Sequence, residues 1–282
     1  MSGNEIAVPY VRIAASARRV RGVLRRHVYL IVKSPTRLVS MMYYPTVTMI
    51  VWAFLTLYLA PTNHFLRDAP GFFIGAVLLW DVLFRGQLGV SLTFIEEFYA
   101  RNLANLFVSP LTLPEYVAGQ LTIGVLRALI GVGGACVFAY LLFRFSIFSL
   151  GLPLVAFFVN LIVFGWAIGL AMSALILRLG LGAEELAWAA VFILAPVSGV
   201  YYPIAVLPAW LQPVALALPS AHVFEGMRAL LQDGAFRWDH FWAAAALDVV
   251  YHALGAALFG WSKASRSRRP RSSRSSRGAS AC

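Results

Sequence analysis

From Ser146 to Leu177 the chain carries no Asp, Glu, Lys or Arg. A helix needs about 20 apolar residues to cross the hydrocarbon of a bilayer, and this run exceeds that length. Comparable runs recur at 41–60, 71–93, 116–143 and 241–261, broken only by Asp81, Arg85, Arg127 and Asp248. A water-soluble fold could not hide them all. Charged residues make up 12% of the chain and hydrophobic ones 60%, against about 25% charged in soluble domains. The runs predict an all-α integral membrane protein, because a helix satisfies its own backbone hydrogen bonds in lipid.

The stretch after residue 185 is different. From Leu186 to Phe224 there is again no Asp, Glu, Lys or Arg, but Pro196, Pro203, Pro208, Pro213 and Pro219 interrupt it. One continuous helix does not accommodate these prolines. The pattern predicts a fifth span to about Tyr201, then a re-entrant helical element dipping back into the outer leaflet. Such irregular backbone must be covered by protein or water. The segment 241–261 completes six transmembrane helices, with both termini on one side.

Basic residues set the orientation. Arg12, Arg18, Arg19, Arg21, Arg25, Arg26, Lys33 and Arg37 precede the first span, and seven more Lys/Arg follow the last. With both termini inside, 17 of the 23 Lys/Arg lie on the inner side, as the positive-inside rule requires. The clusters flank spans, which favours membrane lipid over nucleic acid as their partner. Residues 10–37 place Val11, Ala14, Ala15, Val20, Leu24, Val28 and Ile31 opposite Arg18, Arg21 and Arg25. This predicts an amphipathic helix on the inner surface, ended before Pro35. Three regions follow: a basic cytoplasmic N-terminus (1–40), a six-span domain (41–262), and a disordered Ser/Arg-rich tail (263–282). The basic residues before the first run are too extended for a cleavable signal.

Catalytic and cofactor signatures are missing. The sequence has no GxxxxGK[ST], GxSxG or HExxH, and its two Cys and five His are scattered. No catalytic residue, metal site or bound cofactor is expected, and the chain is not read as an enzyme. The glycine-rich 131–136 stretch suits close helix packing.

Two features do carry functional information. The first is charge inside the spans. Asp81 and Arg85 share a helix face at i, i+4, as do Asp248 and His252, and Arg127 stands alone in the third run. Charges at that depth are paired or face a cavity. Mutual neutralisation is the plainer reading, and contact with substrate or protons is the alternative. The second is the polar interruption at 96–110, EEFYARNLANLFVSP. As a helix it sets Tyr99, Leu103, Leu106 and Phe107 on one face and Glu97, Arg101 and Asn105 on another. The spacing predicts a short cytoplasmic helix, with its acids at the start and Pro110 at its end.

The 96–121 segment, together with SGVYYPIAVLPAWLQPVALALPSAHVFEGMRALL at 198–231, resembles the type-2 ABC transporter permease family. These are transmembrane subunits of bacterial exporters of drugs, polysaccharides or lipid-linked glycans. Ser198, Gly199, Pro203, Pro208, Trp210, Pro219, Glu225 and Arg228 fall in the family's order. Arg101-Asn102 stands where many drug-exporting members carry Gly-Thr. The resemblance implies that Glu96, Glu97, Tyr99, Arg101, Asn102 and Asn105 belong to a coupling helix that docks on a separate ABC ATPase. It implies two ATPase copies holding ATP and Mg, and a second permease as homodimer partner or sister chain. It also implies a bacterial cytoplasmic (inner) membrane location and an amphipathic or lipid-linked substrate. Glu225 and Arg228 would brace the outer element. The competing expectation is a proton-coupled secondary transporter or channel using the intramembrane charges.

Overall fold

The computed structural model describes residues 7–61, 71–99, 112–180, 182 and 184–267. Within them the chain forms helices and turns and no strand. The helices are α1 (Ala7–Val32), α2 (Pro35–Leu59), α3 (Phe72–Tyr99), α4 (Leu113–Phe143) and α5 (Leu152–Leu179). They continue with α6 (Glu184–Val197), α7 (Gln212–Leu216), α8 (Pro219–Asp233) and α9 (Trp238–Ser267). Single 3-10 turns lie at Ile147–Leu150 and Ile204–Val206.

Five of these helices, α2, α3, α4, α5 and α9, are long and apolar enough to cross a membrane. The place of the expected fifth span is taken by α6, of 14 residues. At 1.5 Å per residue it covers about 21 Å, short of the roughly 30 Å hydrocarbon core. Pro196 lies in its last turn.

The central helix is α3. It packs against α5, α4, α2 and α6, while α9 covers α5 and α8. Leu78, Leu79 and Leu83 of α3 are fully buried. In lipid there is no solvent-driven collapse between helices, so close backbone approach supplies much of the attraction. Gly165 of α5 provides it here: a Cβ at this position would stand 2.6 Å from the Leu83 carbonyl oxygen. Gly165→Leu is therefore expected to force α3 and α5 apart, costing about 3 kcal/mol or more. Thermal melting in detergent checks this. Gly133→Leu, where nothing lies within 4 Å, should melt like the unaltered protein.

Helix α1 lies along α4. His27 and Ile31 are buried, Arg18, Arg21 and Arg25 exposed. The packed face differs slightly from the expected stripe. Val28 is exposed, whereas Val23 lies against Gly119 and Arg19 donates to Glu115 through Nε (3.0 Å) and Nη2 (2.5 Å). Glu115 also caps α4, accepting the Thr112 N–H at 2.9 Å. A stripe drawn from apolar residues alone omits an arginine whose partner lies 96 residues away.

Two boundaries need correction. The fourth long helix begins at Leu152, not near 146, because the chain first makes a 3-10 turn and restarts with a proline in the first turn. Glu96, Glu97 and Tyr99 do not open a separate helix; they form the last turn of α3, since nothing between Leu92 and Tyr99 breaks it. The remainder of the expected coupling helix, with Arg101, Asn102 and Asn105, lies outside the described residues. So does the tail from 268 onward.

Candidate functional site: a charged pocket flanking α3

Along α3, Trp80, Phe84, Leu88, Leu92 and Glu96 recur every fourth residue and so share one face. This strip lies between α2 and α6 and forms the floor of a cavity of about 600 Å³. Tyr44 and Pro45 of α2 line one wall, and Trp188 and Phe192 of α6 the other. The Phe84 ring lies 6.0 Å from Trp188 and 6.2 Å from Phe192. Tyr201, just past α6, closes one end and stacks on Trp52 at 4.0 Å.

The pocket also gathers three of the five intramembrane charges. Arg85 Nε donates to Asp81 Oδ2 at 2.5 Å. Its Nη2 donates to the Met41 carbonyl of α2. That acceptor is free for a local reason. In a helix the Met41 carbonyl would accept from residue 45, which is Pro45 and has no N–H. The arginine side chain lies over Gly131 of α4, where any Cβ would overlap it. A proline, a glycine and a carboxylate on three helices thus make a seat for one buried cation.

Arg127 enters from α4. It is 7% exposed, and its Nη2 reaches only to 3.7 Å from Glu96 Oε2. Its Nε has no hydrogen-bond partner among the described residues. Glu96 also stands 3.5 Å from Arg37 Nη1 of α2. Asp248 and His252 are not part of this cluster. They lie on α9, and Asp248 Oδ1 and His252 Nδ1 have no hydrogen-bond partner among the described residues.

At the opposite end of α3 the irregular segment is tied down by one arginine. Arg228 Nη2 donates to the Gly199 (2.8 Å) and Tyr202 (3.0 Å) carbonyls. Its Nη1 pairs with Glu225 at 2.7 Å, and its guanidinium lies 5.3 Å from the Phe72 ring centre. Glu225 in turn accepts the Ile204 N–H at 2.8 Å, and the Ser198 and Ser220 hydroxyls are 2.8 Å apart. Gly199 adopts φ +62°, a conformation that suits glycine. Pro203 leads into the 3-10 turn, Pro219 opens α8, and Trp210 is exposed. At the Glu96 end, the Tyr99 hydroxyl donates to Glu184 of α6 at 3.0 Å. That bond holds the Tyr99 phenol above its ordinary pKa.

Several participants escaped the sequence reading: Arg37, Met41, Trp52, Phe72, Glu115 and Glu184. Only Pro45 left a readable signal, as a proline inside an apolar run that must orphan one carbonyl.

A bundle of membrane-length helices around a charged, aromatic pocket defines a multi-pass membrane protein with the anatomy of a transport subunit. A family model for the ABC-2 type transporter matches residues 18–231, most of the chain, and the chain belongs to that family. No curated protein is significantly similar to it.

Proposed function

We propose that this permease exports an amphipathic or lipid-linked compound. It would work as a pair of identical chains coupled to two copies of a separate ATPase that holds ATP and Mg. The pocket supports the reading most directly. It combines aromatic walls with buried charge and ends at Glu96, in the turn that leads straight into residues 100–111. ATP binding by the partner would move that segment, and α3 would carry the motion to the pocket walls. The substrate would then leave between the two copies toward the outer leaflet.

In this reading α6 and the turn to about Tyr201 make the fifth crossing, and the element that follows is re-entrant from outside. Arg228 and Glu225 brace it. Both termini face the cytoplasm, α1 lies at the inner surface of the bacterial cytoplasmic membrane, and the basic tail meets anionic lipid. A drug, a polysaccharide and a glycolipid all fit the chemistry stated so far.

The test is purification from native membranes. An ATPase subunit is expected to co-purify, and Glu97→Ala/Arg101→Ala should lower transport per ATP about tenfold while the helical fold persists. A proton-coupled carrier is the second reading, favoured by the buried, unpartnered Asp248 oxygen. It would be supported if no ATPase co-purified and a proton gradient alone drove flux.

A further inference from the structure

We infer that the pocket selects amphiphiles bearing a negative charge, and that the anionic group displaces Glu96 from Arg127. The inference rests on the permease reading of this pocket and specifies its substrate class.

Among the described residues, three arginines, Arg37, Arg85 and Arg127, face two carboxylates, Asp81 and Glu96, so one positive charge is unbalanced there. The imbalance is localised. Arg85 is closed off by Asp81 at hydrogen-bond length and by a backbone carbonyl. Arg127 is not. Its separation from Glu96 exceeds the 2.7–2.9 Å of a charge-assisted hydrogen bond, and its Nε finds no partner among the described residues although the residue is over nine-tenths buried. Its Cα lies roughly 20 Å along α4 from the start of that helix. A half-compensated cation at such depth is costly.

Glu96 is the opposite kind of group. Its side chain is 38% exposed and shared between two arginines, at 3.5 and 3.7 Å. It is a loosely held counter-ion that a better one replaces. A carboxylate, sulfate or phosphate can take the Nε and Nη2 donors of Arg127 together, in the two-pronged geometry guanidinium favours. The apolar part of the same molecule then lies along Trp80, Phe84, Trp188 and Phe192. An uncharged amphiphile fills only the aromatic part and leaves Glu96 in place. Glu96 stands three residues before the end of α3, so its release reports loading to the segment that follows.

The experiment uses the full chain in phosphatidylcholine nanodiscs, with a dansyl-labelled long-chain fatty acid and its methyl ester as probes. Energy transfer from pocket tryptophans reads binding, relative to empty discs. The acid is expected to bind about tenfold more tightly than the ester, the scale of a charged hydrogen bond. Arg127→Gln should equalise the two. Glu96→Gln should tighten the acid several-fold and leave the ester unchanged, a gain that misfolding cannot produce. Adding phosphatidylglycerol to the discs separates two sources of the anion: strong competition marks a bilayer lipid as occupant, weak competition a free amphiphile. Equal binding of acid and ester to the unaltered protein, or no gain from Glu96→Gln, overturns the inference. Either failure leaves the permease reading intact, since that stands on co-purification of the ATPase.

Discussion

Arg228→Gln is expected to abolish transport and to lower stability by about 3 kcal/mol. Breaking a buried ion pair by removing one partner costs about 3–5 kcal/mol. The lower end applies because the Glu225 side chain retains 23% exposure. The substitution also leaves the Gly199 and Tyr202 carbonyls without their donor. These are the bonds that hold the turn after α6 against α8, so the segment from 199 to 212 should be cleaved faster in limited proteolysis. Glu225→Gln should be milder, about 1 kcal/mol, since its amide oxygen can still accept the Ile204 N–H. Arg228→Gln with normal melting and normal transport would show that this element is held by something else.

A second large effect is expected at Arg85. Arg85→Gln strands Asp81, 7% exposed, and removes the donor to the Met41 carbonyl. The expected loss is about 3–5 kcal/mol. Asp81→Asn/Arg85→Gln should recover most of it, because no uncompensated charge then remains. Melting of the two single and the double substitutions forms a cycle whose coupling should reach about 2 kcal/mol or more, at the upper range for residues in contact. A coupling near zero would mean that the two side chains do not share one site.

The membrane helices were legible because their signal is local. An apolar run as long as that from Ser146 to Leu177 can hardly lack a membrane helix, and five such runs, three of them broken by charge, return as α2, α3, α4, α5 and α9. The Asp81–Arg85 contact was legible for the same reason, being one turn apart on one helix. What lay beyond reach was pairing across the bundle. Arg19 meets Glu115, and Glu96 stands between Arg37 and Arg127; no periodicity relates positions that far apart. Helix ends were misjudged where apolar residues continue past a turn, as at 146–151, and where polar residues continue a helix, as at Glu96. In both places hydropathy says where water is, while backbone geometry decides where the helix stops.

The shortness of α6 has a consequence for permeability. A solute following the length of α6 would leave that helix after about 21 Å, some two-thirds of the hydrocarbon thickness. It then meets the turn at Ser198–Pro203, whose Gly199 and Tyr202 carbonyls Arg228 already engages. The dielectric barrier to a polar headgroup is lower across a thinner apolar layer. A route along α6 would therefore present a shorter helical wall than one along α2, α3, α4, α5 or α9. The stacked Tyr201 and Trp52 rings stand just past the end of α6, beside that shorter route.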